Sequence, residues 1–165
     1  MNALITYKTI TGNTKKMAKA IEKGVDGTFD SFEMIQVDNT DEYDILFIGF
    51  PIMNRRIPEG VKEFIKEKAK NKKVVLYISH AMPKELPHLQ TLITKACEVA
   101  NNTELLGVFN CQGELSEELA VNLKKHENEE FRRFGSLRHE SIGLPSENDL
   151  EELIQFTKNI IKESK

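Results

Sequence analysis

The sequence predicts an α/β fold: a three-layer α/β/α sandwich with a five-stranded parallel sheet of order 2-1-3-4-5. Short apolar runs alternate with segments of helical periodicity along the chain. The run 44–50 is so continuously apolar after its first residue that a strand there should be covered on both faces. Strands and helices alternate at a rhythm that implies right-handed crossovers between parallel strands. With 165 residues, the chain has the size of a single domain, 1–165, with its own core.

The first half of the chain predicts three strands and two helices. We expect strands at 3–7, 32–37 and 44–50, a helix that begins near Thr14, and a helix over 58–70. Pro51 stops the third strand, and Pro58 suits the first turn of the second helix. The outer face of that helix is rich in lysine, which indicates a solvated surface or a docking patch for an acidic partner.

The second half completes the sheet and then becomes less regular. We expect strands at 74–78 and 104–109, with a helix over 87–100 between them. Ser116 begins a further helix with Leu119, Leu123 and Phe131 facing inward, and 132–143 is expected to be an irregular excursion. Ser146, followed by acidic residues, marks the start of the last helix, which closes the sheet.

Composition and charge exclude several classes of protein. The net charge is -3, the pI is about 5.9, and no basic patch is interleaved with aromatic residues, so nucleic-acid binding is not expected. Cys97 and Cys111 have no metal-site spacing and are too few for a disulfide framework, which fits a reducing compartment. The first residues resemble a strand and not a basic and apolar signal segment, so secretion is not expected, and no apolar run approaches the ~20 residues that span a bilayer. We therefore expect a cytoplasmic protein without a membrane segment or a metal site.

The segment between the first strand and the first helix has the composition of an anion site. Three hydroxyl side chains, a glycine and an asparagine occur within six positions: Thr9, Ile10, Thr11, Gly12, Asn13 and Thr14. Backbone N–H groups at a helix N-terminus add further donors for a phosphate. The glycine spacings of the Walker loop and of the dinucleotide fingerprint are both absent. The alternative is that Thr11 or Asn13 is an ordinary N-cap of the helix.

The spacing Thr-x-Thr-Gly-x-Thr after a first strand resembles the phosphate loop of flavodoxins, which holds the monophosphate of FMN. Two more segments resemble the same family: Ile48–Ile52 followed by Ile57–Pro58 is similar to its third strand and loop, and 145–156 is similar to its last helix. The resemblance implies a short-chain flavodoxin-like protein with FMN as its cofactor. A phosphotransfer receiver shares the strand order, but the acidic metal-binding residues that it needs after strands one and three are absent.

The resemblance also implies where the flavin ring lies. Ligands of open parallel sheets bind beyond the carboxyl ends of the strands where the strand order reverses, here between strands one and three. Besides the phosphate loop, the residues expected there are Pro51, Ile52, Met53, Asn54, Ser79, His80, Ala81 and Met82. Flavodoxins usually cover the ring with aromatic side chains, whereas this chain has no tryptophan and offers Met53, His80 or Met82, with Arg55 and Arg56 nearby.

The loop after strand three and the remaining histidines carry two smaller expectations. Asn54 is the residue of this loop that best tolerates a positive φ. His88, His126 and His139 lack the spacing of metal ligands, so we expect them on the surface.

Three functions remain open at this point. The first is an FMN-binding protein that transfers electrons between redox partner proteins. The second is an FMN-dependent reductase, or the flavin-carrying subunit of a larger reductase, acting on a small molecule such as a quinone or tetrapyrrole; the long segment 111–145 favours it. The third is a cofactor-free partner-binding module, against which the intact phosphate loop argues. The flavin would supply the chemistry, so no catalytic side chain is required and enzyme status stays open. We expect a monomer or a weak dimer.

Overall fold

The computed structural model describes residues 1–83 and 87–164, except for the side chain of Pro87. The elements in chain order are β1 (Asn2–Tyr7), α1 (Asn13–Gly24), β2 (Thr28–Glu33), β3 (Ile45–Pro51), α2 (Glu59–Lys68), β4 (Lys73–His80), α3 (Pro87–Val99), β5 (Glu104–Gln112), α4 (Glu117–Lys124), α5 (Glu129–Ser136), α6 (Arg138–Ser141) and α7 (Glu147–Glu163). A single 3₁₀ turn, Met34–Gln36, follows β2.

The five strands form one parallel sheet of order β2-β1-β3-β4-β5, which confirms the predicted topology. Leu4 of β1 pairs with Leu46 of β3, and Leu46 pairs in turn with Val74 of β4. Because all five strands run in the same direction, their carboxyl ends meet at one edge. The strand order reverses at this edge between β1 and β3.

Two cores lie on opposite faces of the sheet, because successive side chains of a strand point to opposite sides. Ile5 and Phe47 belong to the core beneath α1 and α7, and Leu4 and Leu46 belong to the core beneath α2 and α3. The predicted α/β/α sandwich is therefore confirmed. None of the helices in the described part of the chain is both long and apolar enough to cross a membrane.

Tyr77 in β4 is a fully buried side chain that depends on a glycine in the next strand. A Cβ on Gly49 would lie only 2.1 Å from the Tyr77 ring, so glycine makes room for the ring. The hydroxyl of Tyr77 donates a hydrogen bond to the carbonyl of Thr6 at 3.0 Å. Burial raises the pKa of Tyr77 well above its ordinary value, so this donor keeps its proton.

The predicted position of the second strand is wrong by about four residues. β2 covers Thr28–Glu33, and half of the predicted strand 32–37, Met34–Gln36, forms the 3₁₀ turn instead. Met34 and Val37 both pack on the core beneath α2 and α3, whereas Ile35 between them is 90% exposed. A spacing of three residues with an exposed middle fits a helical turn, not a strand. The true strand is an edge strand with little burial, so its apolar signal is weak.

The segment 132–143 is more regular than predicted. It contains the end of α5 and the whole of α6. Asn128 caps α5 by accepting a hydrogen bond from the Glu130 N–H at 2.8 Å, a signal that the irregular prediction overlooked. The orientation predicted for Leu119 is also wrong: Leu119 is 44% exposed, and Ala120 is the buried residue of α4.

Both serine caps are confirmed by their hydrogen bonds. The Ser116 hydroxyl accepts from the Leu119 N–H at 3.3 Å. Ser146 and Asp149 form a reciprocal capping box at the start of α7.

Candidate functional site

The loop between β1 and α1 turns at Gly12. This residue has φ 90°, a left-handed conformation that glycine adopts without strain. The Gly12 N–H donates to the Thr9 hydroxyl at 3.2 Å, which closes the loop on itself. A Cβ added to Gly12 would meet no atom within 4 Å, so the approach to the helix end is open.

The N-terminus of α1 has no side-chain cap. Gly12 occupies the N-cap position, so the alternative that Thr11 or Asn13 caps the helix is wrong. The first hydrogen bond of the helix runs from the Lys16 N–H to the Gly12 carbonyl at 3.0 Å, and the N–H groups before it have no acceptor within the helix. The first turn contains no acidic residue to offset the positive end of the helix dipole. The arrangement is therefore suited to bind an anion.

The start of α1 is attached to the end of β4. The hydroxyls of Thr14 and Ser79 lie 2.8 Å apart in a buried hydrogen bond, and their side chains are 1% and 2% exposed as residues. This contact joins the first predicted loop directly to the third. Thr11 by contrast is exposed, and its hydroxyl accepts from the side-chain amide of Asn13 at 3.1 Å.

The loop after β3 forms a tight two-residue turn. Met53 and Arg56 exchange backbone hydrogen bonds of 3.0 and 2.7 Å, and the residues between them have positive φ: 48° for Asn54 and 56° for Arg55. These angles are those of a type I′ turn. Asn54, the residue of this loop expected to tolerate a positive φ best, takes one. Arg55 does so as well, at a cost of about 1 kcal/mol for a non-glycine residue.

Arg55 is held in this turn by α5. Its guanidinium group pairs with the Glu130 carboxylate at 3.2 Å and lies over the Phe131 ring, 4.9 Å from the ring centre. These contacts give Arg55 an opposite charge and an aromatic face in the turn, although both side chains of the ion pair stay solvent-exposed. Arg56, the other loop cation, is exposed and has no carboxylate partner within the described ranges.

The loop after β4 is supported from below by His80. The imidazole is only 3% exposed; its Nδ1 donates to the Met82 carbonyl at 2.8 Å, and its Nε2 hydrogen-bonds with the Asn110 side chain at 3.2 Å. Gln112 adds a hydrogen bond to the Ala81 carbonyl at 3.2 Å. His80 thus shapes the loop, while Ala81, Met82 and Pro83 line the neighbouring cavity.

A cavity of about 490 Å³ opens between these two loops and the α4–α5 hairpin (residues 117–136). The loops contribute Ile52, Asn54, Arg55, Ala81, Met82 and Pro83 to its wall, and the hairpin and the residue after it contribute Leu119, Leu123, Glu130, Phe131, Arg133, Phe134 and Leu137. His88 completes the wall, and like His126 and His139 it is exposed, as predicted. The hairpin is therefore a third side of the cavity that the predicted loops did not include.

A second connection joins the loop between β1 and α1 to the segment after β5. The Asn13 side chain donates to the Glu114 carbonyl at 3.0 Å, and a Cβ on Gly113 would lie 2.4 Å from that side chain. The Glu114 carboxylate accepts from Arg138 at 3.1 Å and from the Gly143 N–H at 3.0 Å. Asn13 is therefore a tether between the loop and the segment that leads into the hairpin.

The three predicted loops meet at one edge of the sheet, as expected from the strand order. Sequence reasoning missed Asn110, Gly113 and Glu114, because β5 is three residues longer than its apolar run. It also missed the cavity face of the hairpin. The spacing of Phe131, Phe134 and Leu137 was the available signal, since residues three apart share one side of a helix.

Comparisons with known proteins agree with this architecture. Residues 4–158 match the model of a family described as the flavodoxin domain. The chain is 28% identical over 171 residues to the flavodoxin-like domain-containing protein BilS of Clostridioides difficile, covering 98% of this chain and 97% of that protein. A short-chain flavodoxin associated with a non-canonical PDU bacterial microcompartment superposes with a TM-score of 0.62 at 16% identity, covering 100% of this chain and 99% of the other. A flavoprotein from Lactobacillus acidophilus in complex with FMN superposes with a TM-score of 0.52 at 18% identity, covering 75% of this chain and 99% of the other.

Proposed function

Because the chain belongs to the flavodoxin domain family, we propose that it binds FMN and transfers electrons between redox partner proteins. The observation that carries the proposal is the uncapped N-terminus of α1 behind an open glycine turn. Such a helix end attracts a phosphate through its N–H groups and its dipole. One structural neighbour, the Lactobacillus acidophilus flavoprotein, is a complex with FMN, which supports this choice of cofactor.

The residues around the helix end fit a phosphate monoester. The exposed Thr11 hydroxyl is a donor for the phosphate, and the N–H groups of the first turn are accessible past Gly12. In this proposal the flavin ring lies against Pro51–Asn54 and Ser79–Met82, where the topology predicts a ligand. FMN would supply the redox chemistry when bound, and the protein's part is to bind and orient it.

A reductase, or the flavin subunit of a larger reductase, is the second candidate function. The cavity favours it, because the α4–α5 hairpin adds a third, largely apolar wall beyond the two loops where the flavin ring is expected, and small-molecule sites are mostly apolar. The hairpin that encloses this space is anchored to the loop after β3 by the Arg55–Glu130 ion pair.

Titration of the flavin-free protein with FMN and with riboflavin tests cofactor binding. We expect one equivalent of FMN to bind at least about tenfold more tightly than riboflavin, because only FMN can use hydrogen bonds to a charged phosphate. No FMN binding, or equal affinity for both flavins, would overturn the proposal.

Electron transfer is tested by photoreducing the loaded protein and mixing it with cytochrome c. Rapid reoxidation supports a carrier, whereas NADH oxidation by the protein alone supports the reductase. The carrier is proposed to act in the cytoplasm. It is proposed to be a monomer or weak dimer, and sedimentation analysis can check this oligomeric state.

A further inference from the structure

The α4–α5 hairpin presents apolar side chains that neither core of the sheet covers. The buried residues within its two helices are Ala120 and Gly135, which meet where the helices cross: a Cβ on Gly135 would lie 2.8 Å from the Ala120 carbonyl oxygen. Leu119 lines the cavity and is nevertheless 44% exposed. Surface helices normally bury their apolar side against a core. The hairpin therefore turns this side toward a space that a ligand can fill.

The shape and lining of that space indicate an aromatic ligand. The whole cavity, including the side along the two loops that is assigned to the flavin ring, has a volume of about 490 Å³, within the range of roughly 300–1,000 Å³ that small-molecule sites occupy. Phe131 and Phe134 offer ring faces or edges from the hairpin side, opposite Ile52 and Met82, whose side of the cavity is left to the flavin ring. Aromatic rings pack favourably in offset or edge-to-face contact with such side chains.

The charges around the cavity indicate that the ligand is an anion. Arg55 is already paired with Glu130 at 3.2 Å, so these two charges compensate each other. Arg133 also lines the cavity, and it makes no hydrogen bond or ion pair with any residue that the structure describes. A guanidinium group without a partner matches a carboxylate or sulfonate, to which it can donate two parallel hydrogen bonds.

We propose that this cavity binds an aromatic small-molecule anion as a second ligand beside the flavin. The rings pack against Phe131 and Phe134, and the anionic group pairs with Arg133. The proposal rests on the proposed function only in assigning the opposite wall, at Ile52–Asn54 and Ala81–Met82, to the flavin. It identifies the class of molecule on which the reductase alternative would act.

Calorimetric titration of the FMN-loaded protein with anilinonaphthalene sulfonate, an aromatic anion, tests the proposal. We expect one equivalent to bind. Arg133→Gln and Leu119→Ala should each weaken this binding at least about fivefold. Arg133→Gln removes the partner of the anionic group, and Leu119→Ala removes apolar contact with the ligand. Both should leave the FMN affinity unchanged. Lys124→Gln and Val121→Ala are matched controls, since these exposed residues of α4 lie outside the cavity wall and should change nothing.

Two results would overturn the second site. Displacement of the sulfonate by FMN would mean that the cavity holds the flavin alone. Equal binding by the cavity variants and the controls would mean that the sulfonate binds elsewhere. If FMN does not bind at all, the proposed function fails, and the same variant series on the flavin-free protein still decides whether the cavity takes an aromatic anion.

Discussion

Removing the Thr11 hydroxyl from the proposed phosphate loop should weaken the binding of FMN but not the binding of riboflavin. Thr11 is exposed, and its only hydrogen bond within the described chain is accepted from Asn13, which keeps its second bond to the Glu114 carbonyl at 3.0 Å. Thr11→Ala should therefore leave the fold and the tether to the segment after β5 intact. The substitution should therefore reduce only the affinity for the ligand.

The size of the loss follows from the exposure of the site. A hydrogen bond to a charged group contributes about 1.5–3 kcal/mol, and each ~1.4 kcal/mol is a factor of ten in affinity. Because Thr11 is solvated before the phosphate arrives, the lower part of that range applies. We expect the Kd for FMN to rise about ten- to thirtyfold, and the Kd for riboflavin to change less than about twofold.

Calorimetric titration of both flavins into the flavin-free variant measures these values. Thr11→Ser restores the hydroxyl and should recover most of the FMN affinity. Thr94→Ala removes an exposed hydroxyl from α3 and serves as the control. Equal losses for FMN and riboflavin, or no recovery with serine, would refute the assignment of the loop to the phosphate.

Four further predictions concern stability. Gly24→Ala should destabilise the fold by about 1–3 kcal/mol because its Cβ would lie 2.8 Å from the Thr157 Cβ where α1 meets α7. Gly60→Ala in α2, whose Cβ meets no atom within 4 Å, should instead stabilise it by about 0.4–1 kcal/mol; urea denaturation that ranks the pair the other way would contradict both. Burial raises the pKa of Tyr43 to about 12 from 10.0, so as pH rises the unfolded chain loses this proton before the folded chain does. The free energy of unfolding should therefore fall as pH rises between those values. Tyr43→Phe should reduce that fall in unfolding curves recorded at alkaline pH. Ser146→Ala should cost about 1 kcal/mol by removing the capping box of α7, and an unchanged melting temperature would disprove that role.

The sequence determined those features whose causes are local. The apolar run of β3 predicts a strand covered on both faces, because apolar side chains on either face are stabilised by burial away from water. The Thr9–Thr14 loop and the Ser116 and Ser146 caps are readable for the same reason: a hydroxyl acts on backbone groups within a few residues of itself. Together these signals predicted the topology and the sheet edge at which the three loops meet.

The tertiary structure alone decided how that edge is closed. Asn13 reaches Glu114 across 101 positions of sequence, and Arg55 reaches Glu130 across 75. Such contacts arise when folding brings distant segments together. The local sequence around one residue does not indicate which distant residue it will contact. The burial of His80 beneath its loop is likewise set by Asn110 on the neighbouring strand. The cavity exists for the same reason, because the two loops and the hairpin that line it belong to parts of the chain that meet only after the sheet has formed.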